Sequence, residues 1–283
     1  MTTIVPLILW LLTFAQGQSL NPSIPQSLNP LSPGQRSDVL QKANAAFEAA
    51  VAMKNSGAID ARRLFREALD GFQSLVRDGV QNGRLHYNIA NTYLRLGDIG
   101  RAIANYRRAQ RLLPGDEENR KNLEFARSRV ELKFAKPAAG AMIETLFFWH
   151  YNTSLAARTR AALFSYALFW ALALSLRLLP RRPPGLGWAL LTVGLFTAAV
   201  GASAAWQRAT ADRHIEGVLI ADHVVLRKGN GEYYDPQFDR PLPQGVEFRL
   251  RASRPDVDGA TWYHIELPDG KDGWLRAEQA EII

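Results

Sequence analysis

No cysteine occurs in the 283 residues. That excludes disulfides, thiolate zinc sites, a cysteine nucleophile and a lipid-modified cysteine anchor, and it removes the usual cysteine clue to redox compartment. Histidine is sparse and scattered: His86, His150, His214, His223 and His264 sit in separate segments. None forms HxxxH or HExxH, and no GxSxG or phosphate-cradling glycine loop is present. The sequence therefore points to no catalytic residue, no metal site and no cofactor. Asp116, Glu117 and Glu118 cluster, but at a helix start, where the helix dipole accounts for them. Acidic residues are also the minority: 34 Lys and Arg against 27 Asp and Glu give a net charge of +7. No basic stripe with interleaved aromatics accompanies that excess, which argues against nucleic acid as partner. Several arginines instead flank apolar segments, which favours a lipid bilayer.

Apolar residues make up 47% of the chain, enough to exclude disorder. The densest pattern is GRLHYNIANTYLRLGDIGRAIANYRRAQRLLPGD, Gly83–Asp116. Its spacing predicts a helical hairpin: Leu85–Leu96, a left-handed cap at Gly97, an N-cap at Asp98, and Ile99–Leu113 stopped by Pro114-Gly115. Small Ala90, Ala102 and Ala109 alternate with bulky Ile89, Tyr93, Ile103 and Tyr106, so that two backbones can approach closely. This pattern resembles a tetratricopeptide (TPR) repeat, with His86 where that family often has tryptophan. Any amphipathic helical hairpin is the plainer alternative. Such a unit cannot bury its face alone, which implies neighbouring helices. They are expected at Ser37–Gly79, a longer degenerate hairpin turning at Asn55-Ser56-Gly57, and at Glu117–Phe134. The helical domain is thus placed at 37–135.

Before it, residues 1–17 read as a secretory signal, with an apolar Ile4–Phe14 and small residues at Ala15 and Gly17. The stretch lacks Lys and Arg ahead of its core, and an uncleaved anchor is the alternative. Residues 18–36 are rich in Pro, Ser and Asn and read as a tether. After the helical domain, an aromatic cluster, Phe147, Phe148, Trp149 and Tyr151, reads as an interfacial helix over 141–156. Residues 161–179 and 186–206 are each long enough to cross a bilayer. Arg177, Arg181 and Arg182 gather around the turn between them, and no acid does. The positive-inside tendency places that turn in the cytoplasm, whereas Arg158 and Arg160 pull weakly the other way. A cleaved signal would put both flanking domains in the periplasm of a bacterial inner-membrane protein, in agreement with that turn.

Residues 213–283 change to short strands, at Val218–Ala221, Val224–Arg227, Val246–Ala252, Thr261–Leu267 and Gly273–Leu275. Gly229-Asn230-Gly231, Pro243-Gln244-Gly245 and Pro268-Asp269-Gly270 supply the turns. The segments ADHVVLRKGNGEYY, PLPQGVEFRL and WYHIELPDGKDGWL resemble a bacterial SH3-type domain. Val218, Ile220, Val225, Val246, Phe248, Ile265 and Leu275 are the expected core. Tyr233, Tyr234, Trp262 and Trp274 are the expected surface aromatics, with a core role for both tryptophans as the alternative. The fold class expected is therefore multidomain: an all-α TPR-like helical repeat, a two-helix transmembrane hairpin and a small all-β SH3-like barrel.

In the TPR resemblance, ligand lies on the inner face of each repeat's first helix. Here those positions are Tyr87, Asn88, Asn91, Leu94 and Arg95. The next helix adds Lys121, Asn122, Phe125 and Arg129. Amides beside cations can hold a peptide carboxylate through charge-assisted hydrogen bonds; a solvated polar face is the alternative. The order of parts resembles the BatE-type proteins of aerotolerance operons. YNIANTYLRLGDIGRAIANYRRAQRLLPGDEENRKNLEFAR and FFWH carry that likeness. It implies a non-enzymatic scaffold for protein–protein interactions in the cell envelope. Its implied partners are von Willebrand factor A-domain Bat proteins and a MoxR-type AAA+ ATPase. A peptidoglycan-binding cell-wall module is the alternative.

Overall fold

The computed structural model describes residues 30–53, 58–132, 153–179, 183–211, 215–255 and 259–283. The expected signal, the tether up to residue 29, the aromatic cluster at 147–151 and Arg181–Arg182 lie outside the described residues.

Five helices form the N-terminal half: α1 Pro33–Ala52, α2 Ala58–Arg77, α3 Gly83–Leu96, α4 Ile99–Leu112 and α5 Glu117–Ser128. α1 begins inside the stretch expected to be tether, and the reason is local. The Ser32 hydroxyl accepts from Gln35 N (3.3 Å), the Gln35 side chain accepts from Ser32 N (2.8 Å), and Pro33 takes the first helical position. This is a capping box with proline where its missing N–H costs nothing. The α3–α4 turn follows expectation: Gly97 is left-handed (φ +86°), and Asp98 accepts from Arg101 N at 2.9 Å. Each helix packs on the next. Ala68, Phe72, Leu75, Leu85 and Ile89 form one buried cluster between α2 and α3. Ala90, Ala102, Ile103 and Tyr106 belong to a second.

Two further helices, α6 (Leu155–Leu178) and α7 (Leu186–Ala211), pack against each other. Both are long and apolar enough to cross a membrane, with mean hydropathy 1.6. α6 starts six residues before the expected span, capped by the Ser154 hydroxyl accepting from Ala157 N. Arg158 therefore lies within the helix. It is buried, and its guanidinium donates to Ser203 Oγ on α7 at 2.7 Å.

The C-terminal segment forms a five-stranded antiparallel sheet of order β4-β3-β2-β1-β5. Its strands are β1 Glu216–Leu219, β2 Glu247–Pro255, β3 Thr261–Glu266, β4 Asp272–Arg276 and β5 Ala280–Ile282. Three expectations need correction. Val224–Arg227 makes only isolated bridges, to Leu242, Pro236 and Trp274, and closes a long loop instead. β5 was not anticipated. Ile220 and Val225 are only half-buried, while Leu219, Val224 and Leu226 are buried beside the expected Val218, Val246, Phe248, Ile265 and Leu275. Alternation fails in β1 because the strand is covered on both faces, so Val218 and Leu219 are both fully buried.

What covers the second face is α4. The helical half and the sheet share one hydrophobic cluster, with Ile103, Leu123 and Val130 against Val218, Leu219 and Val246. Gly100 in the first turn of α4 lies against the Leu219–Ile220 backbone; a Cβ there would fall 2.9 Å from Ile220 Cα and closer still to the Leu219 carbonyl oxygen. Gln244 Oε1 accepts from Ile99 N (3.0 Å) and Gly100 N (3.3 Å), so the sheet domain caps the helix. Around this apolar contact runs a ring of charge. Arg127 grips Glu247 bidentately (2.7 and 2.8 Å), Arg107 pairs with Glu216 and Glu247, Arg108 with Glu281, and Arg111 with Glu216. The two halves, separated in sequence by α6 and α7, make one folded body.

Candidate functional site

The residues expected to bind ligand lie on the face made by α1, α3 and α5, opposite the α4 face that meets the sheet. Asn122 follows Asn88 by 34 residues (122 − 88), the spacing expected of a TPR-like repeat. Asn44 on α1 falls on the same face: its Oδ1 accepts from Asn88 Nδ2 at 3.4 Å. The sequence reading missed Asn44. The first hairpin is ten residues longer than the second, since Asn88 lies 44 residues after Asn44, and this hides the period.

A hydrogen-bonded set occupies the centre. Asn122 Nδ2 donates to Tyr87 Oη (3.0 Å) and to Asn91 Oδ1 (3.1 Å), which uses both its N–H groups. Asn91 Oδ1 also accepts from the Tyr106 hydroxyl at 2.6 Å. Tyr106 belongs to α4 and is fully buried, and burial pushes its hydroxyl pKa well up. The Tyr87 and Tyr106 rings sit 6.1 Å apart. Donor and acceptor accounting then fixes what the site can offer. Asn91 retains its amide N–H pair, Asn122 retains its carbonyl oxygen, and Tyr87 retains its hydroxyl proton. Donors and an acceptor together match a peptide main chain, which offers both C=O and N–H groups along an edge. A carboxylate, which only accepts, would leave the Asn122 oxygen unmatched.

Cations border this set but do not converge on it. Arg95 is exposed, one turn along α3 from Asn91. Lys121 pairs with Glu117 at 3.7 Å on its own helix. Arg129 lies over the ring of exposed Phe125, 4.8 Å from its centroid. Leu94 is half-buried against the shared core, so it contributes packing. Asn88 and Asn91 are half-buried rather than exposed.

Elsewhere, His86 is buried, its Nδ1 3.1 Å from Asn105 Oδ1, and burial holds its pKa below the usual value. It is a core residue bridging α3 and α4. Among the described residues, no three His, Asp or Glu side chains come together in a way that could hold a metal ion.

The four aromatics expected on the sheet's surface divide. Tyr233 is 70% exposed and Tyr234 38%. Trp274 is half-buried, stacked on His264 at 4.8 Å, and His264 Nε2 lies 2.7 Å from Asp272 Oδ2. Trp262 is only 2% exposed and belongs to the core. On β3 it shares a face with His264 and, across the register, with Trp274 and Arg276, and the Arg276 guanidinium lies over its ring, 5.9 Å from the centroid.

No protein-family model matches this chain and no characterised protein matches it, so the functional reading rests on the chemistry of the site itself.

Proposed function

We propose that the protein is a non-enzymatic, membrane-anchored scaffold that holds an extended peptide segment of its partners. Its helical half is read as a TPR-like stack and its sheet as an SH3-like domain. The observation that carries the proposal is the Tyr87–Asn91–Asn122–Tyr106 set. It leaves the Asn91 N–H pair, the Tyr87 hydroxyl proton and the Asn122 carbonyl oxygen for a ligand, and so suits a peptide main chain, which donates as well as accepts, better than a terminal carboxylate. Arg95 and Lys121 at its border favour a segment that carries acidic side chains. By resemblance to BatE-type proteins, the partners are von Willebrand factor A-domain Bat proteins working with a MoxR-type AAA+ ATPase.

The anchor is the α6–α7 pair. Trp188 and Trp206 are both exposed and stand 18 residues apart on α7, about 27 Å at 1.5 Å per residue. That separation suits two aromatic belts at the two faces of a bilayer about 30 Å thick. The shared core of the two halves supports their lying on the same side of the membrane, and the Arg177–Arg182 turn favours the cytoplasm for the other side.

The test exploits the absence of cysteine. A single cysteine at Arg95, carrying a photo-crosslinker, is compared with one at exposed Arg66 on α2, in native membranes. Crosslinks to von Willebrand factor A-domain proteins are expected from position 95 and not from 66. Equal yields from both, or none from 95, would show that this face is not the binding surface.

A further inference from the structure

α6 carries two aromatic side chains whose polar ends lie where lipid has nothing to offer them. Tyr166 stands at the middle of Leu155–Leu178. Its level is fixed by α7. Arg158 donates to Ser203, and a Cβ at Gly194 would lie 3.1 Å from the Phe169 ring. These antiparallel contacts set Tyr166 level with Phe196, near the midpoint between Trp188 and Trp206. Trp170 lies one turn further, about 6 Å along the axis. In a bilayer both residues are inside the hydrocarbon layer, which reaches about 15 Å to either side of its midplane. Trp188 and Trp206 can turn their N–H groups to interfacial water; Trp170 is too deep. Its ring is exposed and meets Tyr166 edge-on, with centroids 6.2 Å apart. Among the described residues, neither the Tyr166 hydroxyl nor the Trp170 N–H has a hydrogen-bond partner. Lipid tails supply no acceptor, and polar groups so placed hold helices together in membranes.

We infer that this stripe of α6 is the contact between two copies of the chain, side by side in the bilayer. Donor and acceptor accounting selects a second copy. Trp170 only donates, whereas the Tyr166 hydroxyl both donates and accepts. Long helical side chains lean toward the helix N-terminus, so the Trp170 indole comes down toward the level of Tyr166. A two-fold axis along the membrane normal then sets each indole N–H against the partner's Tyr166 oxygen, at equal depth by symmetry. Each donor-only group finds its acceptor on the copy, and none is needed from an unrelated helix. Exposed Leu163 and Leu174 continue the stripe on either side. The stripe also borders the seam with α7, because Trp170 leans edge-on against Phe169, 5.7 Å between centroids, and Phe169 packs on Gly194. Such a dimer presents two α1–α3–α5 faces on one side of the bilayer, enough to hold a partner with two binding segments by both.

The inference rests on α6 and α7 being membrane spans, and the experiment separates the two. The full chain in native membranes is washed with alkaline carbonate, then purified into density-matched micelles for sedimentation equilibrium. A species of twice the 31.5 kDa chain mass is expected. Tyr166→Phe removes one oxygen and keeps the ring. It should weaken the dimer by about tenfold, since two interhelical bonds are affected. In this cysteine-free chain, Leu163→Cys should crosslink to a second copy when the membranes are oxidised with copper phenanthroline. Leu168→Cys, similarly exposed but on the far side of α6, should not. A monomer, a Tyr166→Phe dimer as tight as wild type, a crosslink at 168 rather than 163, or capture of another protein from 163 in place of a second copy would each overturn the inference and leave the anchor standing. Release of the chain by carbonate would overturn both.

Discussion

Gly100 gives a test in which the sign of the effect is the answer. It stands in the first turn of α4, and glycine inside a helix is less favourable than alanine by roughly 0.5–1 kcal/mol. If α4 faced only solvent or other helices, Gly100→Ala would stabilise the protein by about that amount. In the structure an added Cβ meets the Leu219 carbonyl oxygen and Ile220 Cα. Both are backbone atoms and cannot rotate away. The sheet must then withdraw from α4, which loosens the Gln244 cap on Ile99 N and Gly100 N and the packing of Gly245 on Ile103 and Val130. Overpacking of this kind costs typically 1–3 kcal/mol, enough to outweigh the helix gain. For a folded body of this size 1 kcal/mol is roughly 2–4 °C. Thermal unfolding of the full chain in detergent micelles, followed by circular dichroism, should show a melting temperature lower by several degrees. Gly34→Ala is the control: Gly34 is also in a first helical turn, but nothing lies within 4 Å of its added Cβ. A Gly100→Ala variant as stable as, or more stable than, wild type would refute the docking of α4 on the sheet. A separately expressed 215–283 fragment should, for the same reason, be poorly folded alone.

Other outcomes follow from the same contacts. Asn91→Ala should cost about 1–3 kcal/mol in urea unfolding, because it leaves the buried Tyr106 hydroxyl without its acceptor. Arg95→Ala, at an exposed place, should stay within about 0.5 kcal/mol of wild type. Stability should fall between neutral pH and pH 5. His86 has its folded pKa lowered by burial, so below the ordinary histidine pKa of about 6.5 the unfolded chain binds the proton more readily. His86→Gln should flatten that dependence, as seen in melting temperatures from pH 5 to 8; an unchanged slope would assign it to other groups. For topology, reporter fusions at residue 184 and after Ile283 should be active on opposite sides of the membrane. A C-terminal fusion active only in the cytoplasm contradicts the proposed arrangement.

How much of this was legible in the sequence varied with what set each feature. The α3–α4 hairpin was, because its caps and small–large alternation are local and tied to one period. The onset of α1 was legible in principle: Ser32-Pro33-Gly34-Gln35 carries a capping box. It lay at the end of a Pro- and Ser-rich stretch and was read as tether. β1 misled because strand alternation reports one buried face, and β1 has two. Trp262 misled because it shares a sheet face with Trp274, so alternation alone does not tell the buried tryptophan from the half-buried one. On the candidate face, Tyr87, Asn91 and Asn122 are hydrogen-bonded together, whereas Asn44 was hidden by the longer first hairpin. The docking of the sheet was not legible at all. Arg107, Arg108 and Arg111 look like a solvated helix face until their glutamates, more than a hundred residues away, are in place.

That separation bears on how the protein is made. α4 leaves the ribosome long before β1 and β2, and the α6–α7 segment must be dealt with in between. Ile99–Gln244 and Arg108–Glu281 close loops of 145 and 173 residues. Contacts so distant in sequence form late and slowly. Until then the Ile103 and Val130 side of the helical half has no cover. Assembly of the apolar α6–α7 hairpin is thus a step in folding the body that the two halves share, and a delay there prolongs the life of an intermediate with an open apolar flank.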